Sequence, residues 1–256
     1  TLFRSKDAAQ KTYGRKGEDV VKKNWNAIDA GVSGAHKVEI PESWKDAQDE
    51  GLEFTHATHG PESVQKFVNT IQSAVNAQEG NKLPVSAFMD YMDGSTPNGT
   101  AAYEKRGIAV NVPVWNPDTC VQCTQCSYVC PHAAIRPVAM TEEEAKNAPE
   151  GMKMTDLKMM PGYKFAINVS VLDCTGCGSC ANVCPGNVKN QTLVMQPLAD
   201  NADKQPFFDY AVTLPEKQEV IDKFKMSTVK GSQFKKPLLE FSGACAGCGE
   251  TPYARL

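Results

Sequence analysis

The sequence predicts a mixed α+β fold assembled from several short units. Three observations carry this. Apolar residues recur at helical spacing in two segments, near residues 17–30 and 61–79. Two runs rich in β-branched and aromatic residues, Ile108 to Trp115 and Tyr163 to Leu172, read as extended chain. Between and after them lie cysteines packed so closely that the chain there must form tight loops rather than long regular elements.

In the first helical segment, Gly17 to Ala30, Val20, Val21, Trp25 and Ile28 fall mostly on one face, and Gly31 is a stop signal. Val38, Ile40 and Trp44 follow around Pro41 and are expected in extended chain. The second segment begins at Pro61 and Glu62, favourable residues for a helix start. Val64, Phe67, Val68, Ile71 and Val75 make its apolar stripe, and Gly80 and Pro84 close it. Residues 89–100 are turn-rich and read as a linker or exposed loop. Pro113 argues that the strand ending at Trp115 lies at a sheet edge. An insert at roughly 137–164 holds Thr141-x-x-Glu144, a capping box before a short charged helix. Residues 215–226 suggest one more amphipathic helix.

Composition narrows the function. Apolar residues make up 41% and charged residues 22%, as in ordinary globular chains. A net charge of −3 favours neither nucleic acid nor an anionic membrane surface. No apolar run is long enough to span a bilayer, and the opening TLFRSKDAAQ lacks the apolar core of a signal peptide. The first residue is Thr1 and the last six, TPYARL, carry no stop signal, which suggests a piece of a longer polypeptide. The ten cysteines are absent from the first 119 residues and fall in three clumps. A disulfide framework would spread them to staple distant loops; clumped thiols suit a metal and a reducing, cytoplasmic setting.

The clumps contain a duplication. Cys120-x2-Cys123-x2-Cys126-x3-Cys130-Pro131 recurs as Cys174-x2-Cys177-x2-Cys180-x3-Cys184-Pro185. This is the spacing of bacterial two-cluster ferredoxins, in which the fourth cysteine of each run serves the other cluster. Cys120, Cys123, Cys126 and Cys184 are therefore expected to hold one [4Fe–4S] cluster, and Cys174, Cys177, Cys180 and Cys130 a second. Small residues at Gly176, Gly178, Ser179 and Ala181 let backbone amides approach the sulfurs. Val121, Val129, Ile135, Val171, Leu172, Val183 and Val188 are the expected apolar screen. Structural zinc is the competing reading, but zinc takes two pairs of ligands, not runs of four followed by proline.

Cys245-x2-Cys248 is weaker evidence. Alone it fits a redox dithiol, half a zinc site, an incidental thiol pair, or half a cluster whose other ligands lie beyond Leu256.

The motifs together carry a resemblance. VPVWNPDTCVQCTQCSYVCPHAAIRP, the second cysteine run, FSGACAGCGETPYARL and the early YGRKGEDVVKKNWNAIDAG resemble pyruvate:ferredoxin (flavodoxin) oxidoreductases, in the expected order and over essentially the whole chain. That resemblance implies a two-cluster ferredoxin-like domain flanked by partial domains of a larger multidomain enzyme. Residues 1–60 would end a domain on the CoA-binding side and 61–101 would be a small helical connecting domain. Residues 102–218 would be the ferredoxin-like domain, and 219–256 would begin the thiamine diphosphate domain. The activity implied is oxidative decarboxylation of pyruvate to acetyl-CoA on thiamine diphosphate and Mg2+. Electrons would leave singly through three [4Fe–4S] clusters to ferredoxin or flavodoxin, in a homodimer. Cys245 and Cys248 would be two ligands of the third cluster, the others belonging to the remainder of the same polypeptide. Glu250 would lie near thiamine diphosphate and Asn26 near CoA. Other readings are the ferredoxin module of another 2-oxoacid oxidoreductase, or a non-enzymatic ferredoxin-type carrier. The 43 residues between Cys130 and Cys174 exceed the gap in compact ferredoxins, and the insert is expected to pack away from the clusters.

Other residues read as structural. His56 and His59 suit a polar surface loop, His132 packing or solvent, and Met140, Met152, Met154, Met159 and Met160 gap-filling. Lys22 and Lys23 suit a solvated helix face. No glycine-rich nucleotide-binding motif is present.

Overall fold

The computed structural model describes residues 2–47, 57–58 and 60–255. Contacts divide the chain into two compact units, Thr1–Leu52 and Glu53–Leu256.

The first unit is a helical hairpin of α1 (Leu2–Tyr13) and α2 (Glu18–Ser33). Gly17 makes the turn at φ 104°, a conformation that a side chain would oppose. Glu18 and Asp19 sit favourably at the positive end of α2. Val21 is buried, the Trp25 indole donates to the Lys6 carbonyl at 3.0 Å, and Lys6 pairs with Asp29 at 2.7 Å. Two expectations change here. Gly31 does not stop α2, which continues to Ser33 and ends at Gly34. Residues 38–44 are not simply extended: Pro41 leads into a tight 3-10 turn at Glu42–Asp46, and Trp44 is exposed.

The second unit opens with α3 (residues 62–76), α-helical at Glu62–Phe67 and Ser73–Asn76 with a π turn at Val68–Gln72 between. The π turn adds a residue to the helical repeat. Val64, Val68 and Ile71 point inward as the periodicity predicts, but beyond the π turn the phase slips. Ser73 is buried in place of Val75, which is half exposed, and the Ser73 hydroxyl donates to the Val68 carbonyl at 2.9 Å. The turn-rich stretch before residue 100 is partly ordered, with a 3-10 helix at Val85–Tyr91 whose Tyr91 meets Phe67 edge-on at 5.0 Å.

Two small antiparallel sheets follow. β1 (Asn111–Trp115) will pair with the last strand. A one-turn helix α4 (Gln125–Tyr128) then leads to β2 (Ile135–Thr141) and α5 (Glu142–Lys146). β3 (Thr155–Asp156), β4 (Tyr163–Val169), the one-turn α6 (Ser179–Asn182) and β5 (Leu193–Pro197) complete the set. β1 pairs with β5 alone, Trp115 opposite Leu193; the other sheet runs β2-β4-β3, with Ile135 opposite Val169 and Thr141 opposite Tyr163. Pro113 and Pro137 both lie on edge strands, where a missing amide is tolerated. The capping box at Thr141 and Glu144 forms in both directions.

Four helices close the chain: α7 (Gln205–Thr213), α8 (Gln218–Phe224), α9 (Val229–Ser232) and α10 (Thr251–Arg255). The main core lies between α7, α8 and the strands β2 and β4. Phe165 and Met140 are fully enclosed, with Trp115, Ile135, Ile167, Leu157 and Met152 around them. Val220 and Phe224 of α8 enter the same core, and Phe234 stacks on Phe224 at 5.7 Å and meets Phe165 edge-on at 6.3 Å. Val220, Phe224 and Phe234 are therefore packed in the same core as β2 and β4. Met159 alone of the insert's methionines is largely exposed.

Candidate iron–sulfur centre

The two cysteine runs fold alike. In each, the residues two and four after the first cysteine take left-handed backbone: Gln122 at φ 59° and Thr124 at 60°, Gly176 at 70° and Gly178 at 75°. That coiling turns amides inward. The Gln122 amide donates to the Cys120 sulfur and the Gly176 amide to the Cys174 sulfur, each at 3.4 Å. One helical turn follows each loop, α4 or α6, and delivers Cys130 or Cys184 at its end. Gly176 is required for a second reason: a Cβ there would stand 2.9 Å from the Asn111 carbonyl of β1.

The eight thiols fall into two neighbourhoods. Cys130, Cys174, Cys177 and Cys180 line one cavity, together with His132, Thr175 and Ser179 and the apolar side chains of Pro113, Ile135, Val169 and Met195 among others. Burial pushes the Cys174 thiol up to about 11 and the Cys180 thiol to about 12, and negative charge on Cys130 acts on both. In the other neighbourhood burial pushes the Cys126 thiol well up, with further repulsion from Cys180, Cys120 and Cys123. The Cys184 thiol is also raised by burial, and Cys123 and Cys120 repel its charge. Cys130, last of the first run, thus lies among the first three of the second, and Cys184, last of the second, lies near Cys120 and Cys123 of the first. Among the described residues no three His, Cys, Asp or Glu side chains converge on the position of a single metal ion. Burial opposes ionisation of the Cys126, Cys174, Cys180 and Cys184 thiols; a polynuclear cation that accepts thiolate charge fits such a set, as four thiolates round an iron–sulfur cubane do.

The insert touches this centre, contrary to the expectation that it packs away. The Gln122 side chain, 1% exposed, donates to the Asp156 carbonyl at 2.8 Å and accepts from the Lys158 amide at 2.9 Å. Lys158 also reaches back to the Cys120 carbonyl at 3.0 Å. The reason is geometric: β3 pairs with the middle strand β4, which places the following residues over the first cysteine loop. The apolar screen also differs. Ile135 and Val171 are buried, whereas Val121, Val183 and Val188 are exposed.

The third pair sits beside the neighbourhood of Cys174, Cys177 and Cys180. Gly247, at φ 71°, would place a Cβ 3.7 Å from the Cys177 Cβ and 3.6 Å from the Ser179 hydroxyl. Burial raises the Cys177 thiol, but the Ser179 hydroxyl and the amides of Ser179 and Gly247 outweigh it and hold it below the ordinary range. His132 is buried, and its ring faces the Cys245 backbone; its carbonyl accepts from the Phe241 amide at 3.0 Å. Ser242 donates to the Pro131 carbonyl at 3.5 Å. Cys245 is exposed and Cys248 half-buried, with the Thr251 hydroxyl and the Thr251 and Glu250 amides favouring the Cys248 thiolate. Glu250 and Asn26 are both exposed. His56 and His59 lie outside the described residues. Sequence reading missed Gln122, Arg136 and Arg255; a glutamine between cysteines and isolated arginines carry no motif.

Comparison with known proteins follows the same lines. Residues 119–187 match a family described as a 4Fe-4S double cluster binding domain. Residues 53–109 match EKR, a domain of unknown function. Pyruvate-flavodoxin oxidoreductase of Enterobacter agglomerans is 47% identical over 251 residues, 98% of this chain and 20% of that protein. Pyruvate:ferredoxin oxidoreductase of Moorella thermoacetica is 49% identical over 254 residues, covering 98% and 21%. Pyruvate dehydrogenase [NADP(+)] of Cryptosporidium parvum is 42% identical over 275 residues, covering 98% and 14%. The chain is thus similar, almost end to end, to about a fifth of the length of its first two relatives. Among the described residues no helix is long and apolar enough to cross a membrane.

Proposed function

We propose that this chain is the electron-conducting segment of a pyruvate:ferredoxin or pyruvate:flavodoxin oxidoreductase, which converts pyruvate to acetyl-CoA and CO2. The observation that carries this is the lining of one cavity by Cys130 from the first run and Cys174, Cys177 and Cys180 from the second. Cys120, Cys123, Cys126 and Cys184 hold the other cluster on this reading. When bound, the [4Fe–4S] clusters supply one-electron redox chemistry, so a two-electron donor can be drained in single steps. The chain's own residues fix the positions of the sulfurs, supply amides to them, and limit water at the buried ones.

Cys245 and Cys248 are then two ligands of a third cluster, completed by residues outside this sequence. Its loop rests against Cys177, which supports entry of electrons at the Cys174–Cys180 run and exit near the Cys120–Cys126 run. Thiamine diphosphate with Mg2+, and CoA, belong to the larger enzyme. Glu250 and Asn26 are the candidate contacts, and each rests on resemblance. The proposed division is 1–60 on the CoA side, 61–101 connecting, 102–218 ferredoxin-like and 219–256 opening the thiamine diphosphate domain. Packing of Val220, Phe224 and Phe234 on the central core would anchor that last domain to the ferredoxin-like one. A cytoplasmic homodimer is the expected setting. Relatives that share this segment include ones named for NADP(+), so the terminal acceptor is set elsewhere in such proteins.

Anaerobic iron and sulfide analysis with EPR of the reduced protein tests the reading. Three interacting cluster signals, one lost on Cys245→Ala, are expected in the enzyme. Two clusters insensitive to Cys245→Ala would reduce the chain to a ferredoxin-type module.

A further inference from the structure

Arg255 is 2% exposed, an unusual fate for a permanently charged group. Its Nη2 donates to the carbonyls of Ser127 at 2.7 Å and Tyr128 at 2.9 Å and to the Gln233 side-chain oxygen at 3.2 Å; its Nε has no partner. The Ser127 carbonyl also accepts the amide of Cys130 at 3.1 Å. The guanidinium is therefore one shared acceptor away from Cys130. Among the described residues no carboxylate pairs with it. Arg136 is the contrast. It is also close to Cys130, but its Nη1 pairs with Glu240 at 2.6 Å, so its charge is answered locally.

A buried cation met only by neutral oxygens is costly unless an anion stands near. Of the two negative groups acting favourably on Arg255, Cys130 is the larger and Tyr128 the smaller, while the Arg136 charge opposes them. On the cluster reading above, Cys130 belongs with Cys174, Cys177 and Cys180 to a cubane whose four thiolates leave it dianionic when oxidised and trianionic after gaining one electron. A fixed cation favours the more negative state. We propose that Arg255 is the charge-compensating residue of this cluster and holds its reduction potential up.

Capping of the α4 carbonyls is the plainer role for Arg255. It would affect stability and leave the potential unmoved. Redox-titrated EPR of the anaerobically prepared, cluster-loaded protein separates the two, with iron and sulfide content as the check on integrity. In Arg255→Met the midpoint of one cluster is expected to fall, with its reduced-to-oxidised ratio at fixed potential down on the order of tenfold, about 59 mV for one electron. Arg255→Lys should retain most of the potential. Gln233→Glu keeps Arg255 and gives it a counter-charge, and should lower the same midpoint. If Arg255→Met cannot hold iron, Gln233→Glu decides the question. Unmoved midpoints in iron-replete Gln233→Glu would overturn the proposal. Iron insufficient for two clusters in the unsubstituted protein would instead remove the cluster reading on which it rests.

Discussion

Gly247 of the third cysteine loop lies against Cys177 of the second, close enough that an added Cβ would reach the cysteine's own Cβ at 3.7 Å. Its amide favours the Cys177 thiolate. Gly247→Val should strain the loop at its positive φ by about 1–2 kcal/mol and move it off Cys177. The expected result is weaker magnetic coupling between the third cluster and that of Cys174, Cys177 and Cys180 in EPR, with iron content retained. Unchanged coupling would show that this contact does not set their spacing.

The crossing of the fourth cysteines makes an asymmetric prediction. Cys130→Ala should eliminate or convert the cluster of Cys174, Cys177 and Cys180, although it lies in the other run. Loss confined to the cluster of Cys120, Cys123 and Cys126, seen by EPR and iron counting, would refute it.

Two glycines with similar backbone should differ. Gly178→Ala meets only the cost of φ 75°, about 1–2 kcal/mol, because nothing lies within 4 Å of its new Cβ. Gly176→Ala has a comparable φ and also collides with the Asn111 carbonyl, adding about 1–3 kcal/mol. Thermal loss of cluster absorbance should therefore come earlier for Gly176→Ala than for Gly178→Ala.

Gln122 clamps the insert to the first loop. Gln122→Ala leaves the Asp156 carbonyl and Lys158 amide without that partner, at about 1–3 kcal/mol. The first cluster should then be lost faster to chelator, and the second hardly faster. Equal loss rates would mean the clamp is not local.

Glu144 joins a capping box and an ion pair with Lys217 at 2.7 Å. Burial pushes its carboxyl up, but hydrogen bonds from Lys217 and the Thr141 amide, with the Lys217 charge, bring it below the ordinary range. A carboxyl depressed in the folded state binds more protons unfolded. Its contribution is present above the usual glutamate value and is lost as pH falls through the folded one. Glu144→Gln should cost about 1–2 kcal/mol near neutral pH. That difference should shrink in acid, below about pH 4; a gap independent of pH would exclude the ionic share.

Spacing carries chemistry more plainly than it carries neighbours, and the legible parts of this chain follow that line. Thr141-x-x-Glu144 forms the expected cap because every partner lies within one helical turn. The stripe from Val64 to Ile71 is legible too, until one extra residue in the π turn sends Val75 outward and Ser73 in. Helix α1 escapes notice because its few apolar residues make no stripe; it is held by α2 through Lys6. The contact of Gln122 with Lys158 depends on how β3 registers on β4, which no local pattern encodes. His132 looks incidental in sequence but is buried under the third cysteine loop. Arg255 gives no signal at all, since its significance lies in the carbonyls of a distant helix.

The interleaving of the two cysteine runs bears on how such a chain is made. A ribosome releases Cys120, Cys123 and Cys126 well before Cys184, their neighbour in space, and Cys130 waits likewise for the entire second run. Neither set of thiols is complete until the later run has emerged and docked. On the proposed ligand sets, local loading of a half-made product is disfavoured, and iron delivery is expected to follow collapse of both halves instead of proceeding loop by loop.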